Sequence, residues 1–250
     1  MTILSFSAVA APQIVAHRGG SGERDENTLV ALKDCYNKKI FAYEIDIHIT
    51  SDDKLVVCHD GNLHRTCGED LVIEEHTLEE VLKVKTKKGN KLSTLDEVLE
   101  FFAPKENIFL QVEIKDPRNE IRLKKLVELA VANFEARKFL DKRLLVISFS
   151  FEALKEIKAK KPEIATGFLV GGTDEKNITR AQSIDCEWVS VELASTSWLF
   201  LSKAKKAGLK IALWTIRSDE GFNLARAFLP DAIVTDYPLK YQNVLEGEKK

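Results

Sequence analysis

The nine residues FAYEIDIHI at positions 41–49 decide the fold, because apolar and polar side chains alternate strictly from Tyr43 to Ile49. Alternation with a period of two is typical of a β-strand, whose side chains point to opposite faces. The isoleucines must pack under helices, so Glu44, Asp46 and His48 point to the other side, into the interior of a curved sheet. Buried carboxylates are costly unless a cation or hydrogen bonds compensate their charge. The stretch therefore predicts an interior metal site, with ion pairs to Lys or Arg as the alternative.

Eight strand-like runs recur along the chain, and helix-like segments separate them. The runs lie at 13–16, 41–49, 108–114, 144–149, 164–170, 188–191, 210–215 and 232–235. The clearest helical segments lie at 26–38, 95–102, 119–138, 151–160, 196–207 and 219–228, with a shorter one at 77–84. Eight strand–helix units with parallel pairing close into a barrel of about 250 residues. We therefore predict an α/β fold, a single (β/α)8 TIM barrel over residues 1–250, with an extended loop or small insertion at 61–94 at its mouth.

The longest helical segment, 119–138, carries an apolar stripe that predicts one buried face. Its predicted members are Ile121, Leu126, Leu129, Ala130 and Phe134. Lys and Glu residues occupy the opposite side, as expected for a helix that packs on the outside of a barrel.

Charge and cysteine usage exclude several classes of protein. The chain has 37 Lys and Arg against 39 Asp and Glu, a net charge of -2, so it offers no basic field for a nucleic-acid backbone. Four cysteines occur without a CxxC pair, which argues against a zinc cage and a disulfide framework and predicts free thiols. We expect a small-molecule substrate and no nucleic-acid partner; the oligomeric state stays open.

Apolar runs are too short for a membrane span, which requires about 20 residues. The opening residues 1–12 lack the basic start of a secretory signal. Both observations predict a cytoplasmic protein without stable membrane insertion.

Polar residues follow the predicted strands where the active face of a barrel lies. The first strand runs directly into His17-Arg18-Gly19-Gly20, and the third carries Glu113 and Lys115 on its inward face. Glu113 is thus a third ligand candidate beside the two acids of the second strand. Three carboxylates without a thiolate form a hard oxygen site suited to Mg²⁺ or Ca²⁺. For His48 we favour a role in lining the pocket over metal binding.

A second imidazole returns to the mouth after the second strand. Residues 51–54 predict a turn, and the run 55–58 leads back to His59 and Asp60. Two histidines, a divalent cation and the cations Arg18 and Lys115 fit phosphodiester cleavage, in which one imidazole takes a proton and the other donates one.

These motifs resemble the glycerophosphodiester phosphodiesterase family, whose members are TIM barrels that act on deacylated phospholipids. The matching motifs near the start are His17-Arg18-Gly19, Glu26-Asn27-Thr28, Glu44-Ile45-Asp46, Thr50-Ser51-Asp52, His59-Asp60 and Arg65-Thr66. Later motifs are Thr94-Leu95-Asp96-Glu97, Val112-Glu113-Ile114-Lys115, Ser148-Phe149-Ser150, Trp214-Thr215 and Thr235-Asp236-Tyr237-Pro238. The resemblance covers nearly the whole chain in order.

The resemblance implies roles for nine residues of this sequence. They are acid–base catalysis for His17 and His59, metal binding for Glu44, Asp46 and Glu113, and substrate or phosphate binding for Arg18, Lys115, Asn27 and Trp214. Ordinary barrel packing is an equal alternative for the tryptophan. The chain departs from the family pattern most at Arg217, where members commonly carry Asn, and we expect this guanidinium to alter the preferred head group or anionic substituent.

The leading hypothesis is metal-dependent hydrolysis of glycerophosphodiesters to glycerol 3-phosphate and an alcohol. Whether water or the glycerol 2-hydroxyl attacks first stays open, as does the choice of metal. One alternative is a lysophospholipase D-like enzyme on the same barrel, which an exposed apolar patch around 61–94 would favour. Another is a catalytically silent barrel that binds phosphodiesters, against which the two histidines argue.

Overall fold

The computed structural model describes residues 11–247, and its strands form one sheet of ten. The strands are β1 (Gln13–Ala16), β2 (Ala42–Ile49), β3 (Leu55–Val57), β4 (Ser93–Thr94), β5 (Phe109–Ile114), β6 (Leu144–Ser148), β7 (Ala165–Val170), β8 (Trp188–Glu192), β9 (Lys210–Ile216) and β10 (Ala232–Thr235). The helices are α1 (Leu29–Asn37), α2 (His64–Cys67), α3 (Leu78–Lys83), α4 (Leu95–Phe102), α5 (Glu120–Ala136), α6 (Phe151–Lys160), α7 (Lys176–Gln182), α8 (Trp198–Lys206), α9 (Asp219–Ala227) and α10 (Pro238–Gly247). The opening residues 1–10, which carry most of the segment predicted to lack a secretory signal, lie outside the described residues.

Eight of the strands close into a parallel barrel, which confirms the predicted fold. The order around the barrel is β1, β10, β9, β8, β7, β6, β5 and β2, and β1 pairs in parallel with β2 to complete the circle. All eight predicted strands are present with bounds that differ by one residue at most. The carboxyl ends of the barrel strands therefore meet on one face, where a TIM barrel builds its active site.

The ends of the strands lead into helices that begin at polar side chains. Thr28, Asn119, Ser150, Ser197 and Ser218 each accept a hydrogen bond from a backbone N–H in the first turn of α1, α5, α6, α8 and α9. Such caps satisfy otherwise unpaired N–H groups and typically stabilise a helix by about 1 kcal/mol. They fix the short loops on the active face of the barrel.

The predicted insertion is an ordered subdomain built on the end of β2. The short strands β3 and β4 extend the sheet there in antiparallel fashion, and α2 and α3 pack on them. The subdomain has a small apolar core of its own, formed by Val56, Cys58, Leu63, Ile73, Val81 and Leu92. Among the described residues, every large apolar side chain that is exposed lies outside 61–94. The apolar patch that would have favoured a lipid substrate is therefore absent from this segment.

In helix α5 one residue of the predicted buried face is exposed. Leu126, Ala130 and Phe134 are buried as predicted, but Ile121 is 80% exposed. Ile121 lies in the first turn of the helix, and Leu123 is the first apolar residue of α5 to be buried.

Two further predictions concern membrane spans and cysteines. No helix within residues 11–247 is long and apolar enough to cross a membrane. All four cysteines are free thiols, as predicted.

Candidate active site

Three carboxylates from two neighbouring strands meet inside the mouth of the barrel. Glu44 and Asp46 lie on β2 and Glu113 on β5, and the parallel register places Asp46 directly beside Glu113. All three side chains are buried, and one oxygen from each lies within 4.8 Å of the others. The alternation seen in the sequence is the cause, since residues two apart on a strand share one face.

Burial and mutual repulsion raise the pKa of two of these acids. Burial, followed by the charges of Asp46 and Glu113, raises the pKa of Glu44 well above its ordinary value. Burial and the charge of Asp46 raise the pKa of Glu113 to about 7. For Asp46 burial acts in the same direction, but the positive charge of Lys115, with a contribution from Arg18, outweighs it and lowers the pKa. Three ionised acids are therefore more negative charge than the surrounding side chains stabilise.

Two cations from the predicted phosphate site lie against the acids. Lys115 Nζ lies 2.5 Å from Glu113 Oε1 and 2.8 Å from Asp46 Oδ1. Arg18 Nε lies 3.6 Å from Asp46 Oδ2, and the backbone N–H of Arg18 donates to Glu44 Oε2 at 2.9 Å. Arg18 has a φ of 52°, a left-handed conformation that turns the chain sharply after β1.

The acid cluster still has capacity for a divalent cation. Glu44 Oε1 is a buried oxygen without a hydrogen-bond partner in the described part of the chain, and Asp46 Oδ1, also buried, contacts only Lys115 Nζ there. Unpaired buried acceptors are rare, because leaving one unsatisfied costs about 1–3 kcal/mol. Three clustered carboxylates, two of them with raised pKa values, suit a hard cation such as Mg²⁺ or Ca²⁺.

Each of the two predicted catalytic histidines is held by an aspartate and an arginine. His17 Nδ1 lies 2.5 Å from Asp236 Oδ1, and Arg217 Nε donates to Asp236 Oδ2 at 2.6 Å. We call His17, Asp236 and Arg217 the buried relay. Burial acts to raise the pKa of Asp236, but the hydrogen bond and charge of His17 lower it. The carboxylate can only accept, so His17 Nδ1 carries a proton and Nε2 is left toward Glu44, whose Oε2 is 3.9 Å away.

The second set, His59, Asp60 and Arg65, repeats this arrangement, and we call it the exposed relay. His59 Nδ1 lies 2.6 Å from Asp60 Oδ1, and Arg65 Nε donates to Asp60 Oδ2 at 2.5 Å. Burial is the largest cause that lowers the pKa of both imidazoles. Neutral histidines with fixed tautomers suit proton transfer at Nε2.

Asn27 and His48 support other site residues from below the cavity surface. Asn27 donates from Nδ2 to Asp46 Oδ2 at 2.8 Å and accepts from the backbone N–H of Asp46, and it does not line the cavity. This differs from the position at the mouth that the resemblance implied. His48 Nε2 lies 3.1 Å from the carbonyl oxygen of His59, outside the acid cluster.

A cavity of about 610 Å³ connects these groups to solvent at the mouth of the barrel. The lining includes titratable and charged side chains: His17, Arg18, Glu44, His59, Glu113 and Lys115. It also includes aromatic and aliphatic side chains: Phe149, Leu193, Trp214, Leu224 and Phe228. Seven of the nine predicted site residues line this cavity, Trp214 among its apolar side chains, and the other two, Asp46 and Asn27, lie directly beneath.

Residues 17–240 match the Glycerophosphoryl diester phosphodiesterase family. The chain belongs to this family. The family that the sequence motifs indicated is thereby confirmed.

Relatives within this family match nearly end to end. A glycerophosphodiester phosphodiesterase of Caldanaerobacter subterraneus subsp. tengcongensis is 27% identical over 237 residues, which cover 90% of this chain and 94% of that protein. An Oleispira antarctica phosphodiesterase, whose structure was solved in complex with the product sn-glycerol-3-phosphate, is 28% identical in sequence. The two structures superpose with a TM-score of 0.87, and the match covers 94% of this chain and 97% of that one. Lysophospholipase D GDPD1 of Homo sapiens is 25% identical over 274 residues, which cover 93% of this chain and 86% of that protein.

The sequence motifs shared with the family did not predict three contacts of the candidate site. Asp236 belonged to a matched motif without a role, and its contact with His17 spans 219 residues. Arg217 was expected to alter the preferred head group, and no contact with Asp236 was predicted for it, but its Nε donates to that carboxylate. Glu26 accepts from both Arg18 and Arg65, at 3.2 and 2.6 Å, and so connects the barrel with the insertion. A signal for Asp236 was present, since it follows β10, and β10 must lie beside β1 in a closed barrel.

Proposed function

We propose that the protein hydrolyses glycerophosphodiesters to glycerol 3-phosphate and a free alcohol, with His17 and His59 as the acid–base pair. The observation that carries the proposal is the pair of relays, whose two imidazoles line the same cavity as Glu44 and Glu113. Both imidazoles have Nδ1 fixed on a carboxylate, which leaves Nε2 as the proton-transfer atom. Simple binding of a phosphodiester requires no such arrangement.

Glu44, Asp46 and Glu113 would hold a divalent cation, Mg²⁺ or Ca²⁺. When bound, the cation supplies positive charge to the phosphoryl oxygens. The residues around it act directly on the substrate. Arg18 and Lys115 line the cavity and stabilise the negative charge that grows on the phosphoryl group. One unprotonated Nε2 takes the proton of the attacking oxygen, from water or from the glycerol 2-hydroxyl, and the other, protonated, donates to the departing alcohol oxygen.

Asn27 and His48 serve the site as positioning residues. Asn27 keeps Asp46 oriented through two hydrogen bonds, and His48 holds the backbone of His59. Residues supporting a metal ligand commonly change affinity or activity 10- to 100-fold when mutated, in rough terms.

We also propose a cytoplasmic location for the protein. We further propose that the barrel and the insertion 61–94 form one domain. Arg65 of the insertion forms a bidentate pair with Glu26, at 2.8 and 2.6 Å. Asp25 accepts from Thr86 Oγ1 and from Asn90 Nδ2, at 2.5 and 2.9 Å. The active face is therefore built jointly by both parts.

The proposal is tested by the release of glycerol 3-phosphate from glycerophosphocholine with Mg²⁺ or Ca²⁺. We expect turnover by the wild type and a loss of at least about 10³-fold in His17→Asn and in His59→Asn. His64→Asn is the matched control, because His64 is an exposed histidine of the insertion outside the cavity. No release with either metal and any common head group would make the silent binding barrel the better description.

A lysophospholipase D-like activity is the second candidate, and one observation favours it. Leu193, Leu224 and Phe228 line the cavity, and Trp198 and Leu199 are more than half exposed on the neighbouring helix α8. Exposed apolar surface continuous with a catalytic cavity suits an acyl chain. We expect Leu224→Glu to reduce turnover of lysophosphatidylcholine and to leave that of glycerophosphocholine within about twofold; equal losses on both would argue against an acyl-chain site.

A further inference from the structure

Two aromatic rings form a right-angled corner in the wall of the cavity. Phe149 follows β6 and Trp214 lies on β9, and their ring centroids are 5.6 Å apart with planes at 88°. An edge-to-face pair leaves a corner that is bounded by one face of each ring. Phe149 is 51% exposed although it is a large apolar residue, so its ring is accessible from the cavity side.

An acidic side chain lies beside this corner. Glu192 ends β8, and the register pairs it with Trp214 on β9. It lines the same cavity as both rings. Ser195 Oγ donates to Glu192 Oε2 at 2.9 Å, which orients the carboxylate without neutralising it. No Lys, Arg or His of residues 11–247 forms an ion pair with Glu192.

The other charge on this side of the cavity is already compensated. Arg217 lines the cavity, but its Nε donates to Asp236 Oδ2 at 2.6 Å, so the guanidinium is paired with a carboxylate. The unpaired charge next to the aromatic corner is therefore negative. A cation gains from both neighbours, because aromatic faces carry negative potential and the carboxylate adds its full charge.

We propose that Phe149, Trp214 and Glu192 form a subsite for an ammonium head group, so that the alcohol released is choline or ethanolamine in preference to a neutral or anionic alcohol. The inference rests on the proposed function and goes beyond it by assigning the chemical class of the leaving group. Trp214 acts here as a face for a cation as well as an apolar wall. Arg217 acts on Asp236 and does not select the head group.

Four substrates that share the product glycerol 3-phosphate test this subsite. They are glycerophosphocholine, glycerophosphoethanolamine, glycerophosphoglycerol and glycerophosphoserine. We expect the wild type to prefer the first two over glycerophosphoglycerol by about 10-fold in kcat/KM, as a partly desolvated cation–π contact with a neighbouring carboxylate implies. Because one product is measured, the four rates compare directly.

Variants separate the subsite from its neighbours. Glu192→Gln and Phe149→Leu should each bring the choline-to-glycerol ratio of kcat/KM close to 1, mainly through KM for the choline substrate. Arg217→Gln should lower all four rates by the same factor and leave the ratios unchanged. Glu220→Gln is the matched control, because this glutamate lies in the first turn of α9 and does not line the cavity.

Three outcomes would overturn the inference. They are equal rates in the wild type, an unchanged ratio in both Glu192→Gln and Phe149→Leu, and a preference for glycerophosphoserine that disappears in Arg217→Gln. If no substrate is hydrolysed, the proposed function fails, and calorimetry decides the subsite separately. Glycerophosphocholine should then bind the wild type more tightly than glycerophosphoglycerol does, and Glu192→Gln should abolish the difference; equal binding would overturn the subsite as well.

Discussion

The two relays contain the same three residue types, but they differ in burial and in how the chain builds them. In the buried relay the side chains of His17 and Asp236 are each 11% exposed, and the contact joins the first and last strands of the barrel. In the exposed relay His59 and Asp60 are adjacent in sequence, with side chains 32% and 27% exposed. Water can replace a lost partner only in the second case. The buried relay should therefore be rigid and sensitive, and the exposed relay tolerant.

The sharpest test of this difference removes the charge of each aspartate. Asp236→Asn should lower kcat on the order of 10³-fold with little change in KM, because an amide at this position donates to Nδ1 and moves the imidazole proton to Nε2. Asp60→Asn should lower kcat only about 10-fold, since water can accept from Nδ1. Steady-state kinetics on glycerophosphocholine measures both.

Asp219→Asn is the control for this pair, because Asp219 lies nearby in the first turn of α9 and its carboxylate pairs only with Lys240 among the described cations. Circular dichroism of all three variants monitors the fold. Losses of similar size in Asp236→Asn and Asp60→Asn would show that burial does not distinguish the relays.

The shifted pKa values of Glu113 and Asp46 predict how the stability of the metal-free protein depends on pH. Glu113 has a pKa raised from 4.5 to about 7, so folding favours its protonated form. This contribution is complete below pH 4.5 and is lost as the pH rises through 7, in total about 3 kcal/mol. Asp46, with a lowered pKa, acts in the opposite sense, and its contribution is lost as the pH falls below about 4.

Urea unfolding in the presence of EDTA at pH 5 and pH 8 measures this loss. Relative to the wild type, Glu113→Gln should reduce the loss of unfolding free energy between the two values by the share that Glu113 contributes. In both proteins Glu44, whose pKa is also raised, loses stability as the pH rises, and the buried histidines, whose pKa values are lowered, gain it. Mg²⁺ or Ca²⁺ should restore stability at pH 8 in the wild type only. Glu106→Gln, at an exposed position, serves as control. A decrease of equal size in Glu113→Gln and in the wild type would contradict the raised pKa.

Glu26 connects the exposed relay with the predicted phosphate site, and the buried relay has no such connection among the described residues. Glu26 accepts from Arg18 and from Arg65, and no other carboxylate among the described residues pairs with both. Glu26→Gln should loosen both arginines and raise KM about 10-fold with a smaller effect on kcat. Glu23→Gln, which removes a comparable pair with Arg24, should leave KM unchanged. A loss confined to kcat would indicate that Glu26 acts through His59 and not through the phosphate site.

Much of the site was predictable because it depends on short-range patterns. The period of two along β2 and β5 places Glu44, Asp46 and Glu113 on one face, and closing the barrel brings His17 to the same mouth. These inferences require only strand geometry. They hold wherever the residues involved lie on strands or at their ends.

The contacts that sequence reasoning missed depend on loops and on distant pairs. Asn27 was expected at the mouth, but its left-handed backbone, with a φ of 56°, turns it under the loop and onto Asp46. The partner of His17 is Asp236, 219 residues away, and no periodicity reports such a contact. Ile121 fits the helical stripe by spacing alone, whereas its exposure depends on where the helix extends beyond the barrel.

The smallest expected difference lies at the arginines that end the two relays. Arg217 and Arg65 have side chains 62% and 50% exposed, and ion pairs at such positions contribute about 0–1 kcal/mol. Arg217→Gln should lower kcat only about twofold, because Ser21 Oγ still donates to Asp236 at 2.7 Å. Arg65→Gln should lower it about fivefold, since Arg65 also pairs with Glu26.

A double-mutant cycle sharpens this last comparison. If Arg217 acts only by holding Asp236, Asp236→Asn combined with Arg217→Gln should be no slower than Asp236→Asn by itself. The corresponding combination of Asp60→Asn with Arg65→Gln should remain slower than Asp60→Asn, because the contact of Arg65 with Glu26 is independent of Asp60. Additive losses in the first pair would mean that the guanidinium of Arg217 also acts outside the buried relay.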